Sequence, residues 1–140
     1  MVSSWSRCAI LAFIFWAVYG SGSVLAGEDE EPLAQSIYVA IEPALVTNYG
    51  GPGRLRYMSV EISLRVIGID GEQSVKHHMP YIKDALLNLF AIQSNETVDT
   101  AEGKEILRQQ SFDVVSAILS EEEKESLLED ILFTSFVVYR

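Results

Sequence analysis

Between Tyr57 and Val66 the chain alternates with period two. Met58, Val60, Ile62, Leu64 and Val66 are apolar, and Tyr57, Ser59, Glu61, Ser63 and Arg65 stand between them. Successive side chains on a strand point to opposite faces, so this pattern predicts a strand over about 55–67 with one buried face. Gly68 and Asp70-Gly71 are expected to end it. The pattern then changes period. Val75, Met79, Ile82, Leu86, Leu89 and Phe90 recur at spacings of three and four, which predicts a helix over about 73–92. Pro80 lies inside it and predicts a kink or an irregular first turn. Ser94-Asn95-Glu96 reads as the turn that closes this helix.

A second helix is expected over about 101–120. Thr100 is a good N-cap, and Glu102 suits the positive end of the helix dipole. Leu107, Val114 and Ile118, with Ser111 as a polar candidate, form its inner stripe, supported by Ile106, Val115 and Leu119. Lys104, Glu105 and Arg108 are expected on the outer face, and Glu121–Glu125 reads as a solvated acidic stretch. Two more strands flank this centre. Ile37–Asn48 is β-prone but interrupted by Pro43, giving a strand over about 37–48. Tyr49–Gly53 reads as a hairpin turn, because glycines supply positive φ and Pro52 fixes its own. Ile131–Tyr139 is β-branched and aromatic with apolar residues in both phases, which predicts a closing strand covered on one face and partly on the other. Strands, then helices, then a strand is α+β.

The first residues follow a different rule. Cys8 to Tyr19 is apolar and uncharged, Gly20-Ser21-Gly22-Ser23 follows, and Val24 and Ala26 are small residues before Gly27. This is the layout of an export signal cut between Ala26 and Gly27. The uncharged stretch also extends from Cys8 to Ala26, close to the length of a membrane helix, so an uncleaved anchor is the second reading. Glu28–Glu31 then begins an acidic linker, and the expected layout is a leader over 1–26, a linker over 27–36 and a domain over 37–140.

Composition narrows the chemistry. Arg7 is the sole charge before Glu28, so all twenty acidic residues fall in the body, and the net charge is −10. No basic excess exists to displace counterions from nucleic acid. A single cysteine, Cys8, excludes an intrachain disulfide and a cysteine zinc site. His77 and His78 are adjacent, and neighbouring positions on a helix point about 100° apart, unlike the i, i+4 pairs that share a metal. Glu72 and Asp84 lie nearby but add no recognisable ligand spacing. No serine stands in a Gly-x-Ser-x-Gly elbow. No catalytic residue, cofactor, metal or small-molecule substrate is expected, although any two of the twenty carboxylates could meet in a fold as an acid–base pair.

Four segments in order carry a resemblance. They are Arg56–Leu64 (RYMSVEISL), His78–Leu86 (HMPYIKDAL), Thr100–Arg108 (TAEGKEILR) and Asp130–Val138 (DILFTSFVV), with Tyr38–Pro43 ahead of them. Together they resemble the flagellar basal-body-associated FliL family over about residues 37–139. The resemblance implies a non-enzymatic accessory protein of the flagellar motor that acts with the stator on rotation, swimming, swarming and control during chemotaxis. It implies a periplasmic domain similar to stomatin and prohibitin domains, association with the inner membrane, and copies assembled in a ring. It also implies an anchor helix behind a basic tail, and here only Met1–Arg7 precede the apolar run. A general periplasmic scaffold without a flagellar role is the alternative.

Cleavage after Ala26 is expected to leave an exported protein whose intact mass begins at Gly27. A mass that retains residues 1–26, in a protein extracted only by detergent, would establish the anchor instead.

Overall fold

A computed structural model describes residues 35–122 and 127–140. The leader, its Ala26–Gly27 junction and most of the linker lie outside the described residues. So does most of the Glu121–Glu125 run.

Three strands form one antiparallel sheet in the order β1 (Ser36–Asn48), β2 (Tyr57–Ile67), β3 (Leu128–Tyr139). Between β2 and β3 the chain makes α1 (Gly68–Ala91), α2 (Asn95–Asp99) and α3 (Ala101–Glu122). The described residues are therefore α+β, as the patterning predicts. β2 is the central strand. Met58, Val60, Ile62, Leu64 and Val66 all face the core, and none is more than 2% exposed. α1 packs chiefly on β1, α3 packs on β3, and the two long helices meet each other. Lengths explain why one helix crosses the sheet. The 24 residues of α1 span roughly 36 Å at 1.5 Å each, and the 11 residues of β2 span about the same at 3.3 Å each.

α1 begins at Gly68, earlier than the expected position near 73. Gly68 has φ 66°, a conformation that only glycine adopts cheaply, and it turns strand directly into helix. Asp70 and Gly71 therefore lie in the first turn of the helix and do not close the strand. A β-carbon on Gly71 would sit 3.0 Å from Val66 and 3.2 Å from Leu127, so the helix start is pressed against the sheet end. The helix runs without interruption through Pro80. Pro80 and Lys76 are both exposed, so the carbonyl that loses its donor is on the solvent side.

Ser94-Asn95-Glu96 also does more than turn. The Ser94 hydroxyl accepts from the Thr97 N–H at 3.3 Å and caps the short α2. Thr100 then joins α2 to α3. Its hydroxyl accepts from Gly103 N–H at 3.0 Å, the expected N-cap bond, and donates to the Glu96 carbonyl at 2.9 Å. Gly103 is buried at this joint, and a β-carbon there would lie 2.3 Å from the Thr97 carbonyl oxygen.

The inner stripe of α3 is rotated from the expected one. Gly103, Leu107, Ser111, Val115, Ile118 and Leu119 are buried, Val114 is half-buried and Ile106 is exposed. The helix sits between α1, α2 and β3, and contacts on several sides decide its phase. Buried Ser111 is satisfied by donating to the Leu107 carbonyl at 2.7 Å.

β3 starts before the expected Ile131, and its two-phase apolar pattern has a structural cause. Glu61 pairs with Ser135 while Ile62 pairs with Phe133, so Thr134 is an extra residue. One extra residue reverses the phase of a strand. Ile131 and Phe133 before it, and Phe136 and Val138 after it, consequently all join the core.

Leu86 is fully buried in the stripe of α1, within the same core as Val60, Ile62 and Leu64. Leu86→Ala is expected to destabilise the domain by about 2–5 kcal/mol. Gly103→Ala should cost about 1–3 kcal/mol or more, because the new methyl meets backbone and not a movable side chain. Denaturant unfolding of both variants checks these values, and unchanged midpoints would contradict the packing described.

Candidate functional site

The helices cover one face of the sheet. The other face is built from the outward positions of all three strands, and register places them in rows. Tyr38 lies beside Arg65 and Asp130, Ala40 beside Ser63 and Leu132, Val46 beside Ser59 and Val137, and Asn48 beside Tyr57 and Tyr139. The last row is aromatic, with the Tyr57 and Tyr139 rings stacked at 4.6 Å. Tyr38, Val46, Tyr57, Val137 and Tyr139 are all exposed. The outer face expected for β2 (Tyr57, Ser59, Glu61, Ser63, Arg65) is thus the middle of a wider surface.

The row at Glu61 is different. Ile41 pairs with Ile62 and Leu45 with Val60, so Glu42, Pro43 and Ala44 all stand opposite Glu61. The insertion is even, so Val39, Ile41 and Leu45 keep one phase and stay buried. Across the sheet, Thr134 bulges at the same level, and its hydroxyl donates to the Glu61 carbonyl at 3.2 Å. Both edge strands therefore distort beside one residue of the central strand. Between them lies an open concavity of about 750 Å³, lined by Ala40, Ile41, Glu42, Pro43, Ala44, Glu61, Ile62, Ser63 and Thr134. Pro43 interrupting a β-prone run was the visible sign of this groove, but its partner across the sheet was not visible.

The edges are shielded from the helix side. The Lys83 ammonium donates to the Glu42 carbonyl. Arg108 donates to the Ile131 carbonyl at 3.3 Å and to Asp130 at 2.8 Å, and it also binds Glu105 at 2.6 Å. Lys104 sits 5.0 Å from the centre of the Phe136 ring. Lys104 and Arg108 therefore face the β3 flank and not open solvent as expected. Bulges and long cationic side chains are recognised protections for sheet edges. Hydrogen bonding from Arg108 holds the Glu105 carboxyl below the usual carboxylate range. On the outer face, Tyr38 and then the charges of Glu129 and Asp130 raise Arg65 above the ordinary arginine value.

His77 is exposed and His78 half-buried, and their rings meet edge-on at 4.8 Å. Glu72 pairs with Lys76, and Asp84 accepts from Asn88 at 3.3 Å, so neither converges with the histidines. Among the described residues no three His, Cys, Asp or Glu side chains converge as a metal site. Among them, too, no helix is long and apolar enough to cross a membrane.

Among the described residues this is a small α+β domain whose outer sheet face is covered by no helix and carries exposed aromatic and aliphatic side chains. Comparison with known proteins specifies it further. Residues 38–138 match the family described as "Flagellar basal body-associated protein FliL", so this chain belongs to the FliL family. It is 26% identical over 107 residues to "Flagellar protein FliL" of Aquifex aeolicus (strain VF5); the match covers 76% of this chain and 64% of that relative.

The Glu105–Arg108 pair gives a pH test. A depressed carboxylate contributes stability above its unfolded value, and that contribution is lost as pH falls through its folded value. Arg108→Ala is expected to melt below the parent at neutral pH, with the gap narrowing as the buffer is taken below the carboxylate range. A gap independent of pH would show that the pair with Glu105 is not what Arg108 contributes.

Proposed function

We propose that this chain is an accessory protein of the flagellar motor that acts through contact, with the stator and basal-body proteins as partners. The observation that carries this reading is the family match, which spans the three strands and the helices between them. It favours the flagellar role over a general periplasmic scaffold. In this reading the domain supports rotation, swimming and swarming and takes part in their control during chemotaxis. It is exported across the inner membrane of a bacterium, either held by an anchor at residues 1–26 or released by cleavage after Ala26. It works as a ring of copies, in the manner of stomatin and prohibitin domains, and its task is contact, not catalysis. The outer sheet face supports this, since among the described residues it carries exposed aromatic and aliphatic side chains beside a groove.

The test is a deletion strain of the source organism, scored for swimming in soft agar, swarming, and the rotation of tethered cells. Reduced motility restored by the full-length gene is expected. Motility equal to the parent in every assay would overturn the flagellar reading and return the scaffold to first place.

A further inference from the structure

We propose that the groove at Glu61 receives the Arg54–Leu55 loop of a second copy of this chain. The inference adds contacting surfaces to the assembly proposed above and rests on that reading. The argument begins with unpaired charge. Of the described cations, Arg65, Lys76, Arg108 and Arg140 pair with carboxylates, Lys83 with a carbonyl and Lys104 with the Phe136 ring. Arg54 and Arg56 are the described cations left over, and both belong to the connection between β1 and β2. Gly51 to Leu55 are exposed in succession, and Leu55 is 80% exposed. Gly50, Gly51 and Gly53 have φ of 87°, 73° and 136°, which holds this loop in a shape other residues would resist. The connection is therefore longer and more prominent than the tight hairpin turn expected from Tyr49–Gly53.

The groove offers the complement. Glu42 and Glu61 are both exposed, and neither carboxylate meets a cation among the described residues; Lys83 and Thr134 bind their backbone carbonyls instead. Ala40, Pro43 and Ala44 supply apolar lining beside them. A basic residue next to an aliphatic one matches two carboxylates next to small apolar groups. The chain's own acidic Glu28–Glu31 would be repelled there. In a chain of net charge −10, two copies repel in general, so their contact requires a local pairing of opposite charge.

The experiment uses the full-length protein in its own cells, with Cys8→Ala to remove the native thiol. Pro52→Cys and Ala40→Cys leave Arg54, Leu55, Glu42 and Glu61 in place, and Ala40→Cys changes one small residue at the groove's lining for another. The double variant should form disulfide-linked multimers that neither single variant forms. Adding Glu61→Lys should abolish them, and adding Arg54→Glu as well should restore them. Glu61 is exposed, and an unchanged melting temperature of the purified variant verifies folding. An amine-reactive crosslinker is applied in parallel. Multimers seen with that reagent but not through the cysteine pair would overturn the surfaces proposed and leave ring assembly standing. Multimers by neither route would overturn both. Cysteine crosslinks indifferent to the two charge reversals would overturn the electrostatic match.

Discussion

Both layers of this domain depend on the pairing of β2 with its two neighbours. Its apolar face is the floor of the core, and both edge strands take their register from its backbone. Every side chain that β1 or β3 sends toward the helices is sent there by that register. Because the period is two, a slip of one residue would exchange the buried and exposed sets. Both neighbours distort beside Glu61, β3 shifts register again between Arg65 and Val66, and the parity of each insertion decides its effect. The insertion in β1 is even and preserves the phase. The insertion at Thr134 in β3 is odd and reverses it, which lets phenylalanines three positions apart enter one core.

The ends of the sheet are closed by short-range devices that hold the helices in place. At one end Gly68 turns strand into helix, Gly71 permits close packing, and the Ile67 N–H donates to the Leu127 carbonyl at 2.9 Å. At the other, the Gly50 N–H donates to the Gln93 carbonyl at 3.1 Å, and Arg140 binds Asp99 at 2.6 Å. The hydroxyl of Thr100 bonds to both α2 and α3, so a single side chain ties the two helices together at their junction. At Gly103 the backbone of α3 lies so close to Thr97 that a β-carbon has no room.

Membership of the FliL family gives these features a setting. Among the described residues the sheet face away from the helices is neither uniformly polar nor flat. It carries aromatic residues at one end, an ion-paired row at the other and an acidic concavity between them. Such a surface is suited to a specific neighbour, since its charges and bulges set an orientation that apolar area alone would not.

The amino-acid order alone determined the α+β class, the buried face of β2, the stripe of α1 and the cap at Thr100. Each rests on local periodicity or on a hydrogen bond between residues three apart, so the information lies within one segment. The FliL resemblance was legible too, from four short segments in order. What tertiary structure decided was everything that depends on two segments meeting. The first turn of α1 is pressed on Val66 and Leu127 at Gly71, and the phase of α3 follows from contact with three elements. Lys104 and Arg108 look like surface residues on a helical wheel, and only the presence of β3 gives them Phe136 and Asp130. The groove is the clearest case: Pro43 announced a disturbance in one strand, but a concavity needs a second one at the same level. Thr134 supplies it from more than ninety residues further along the chain, a distance that only the register of the sheet can bridge.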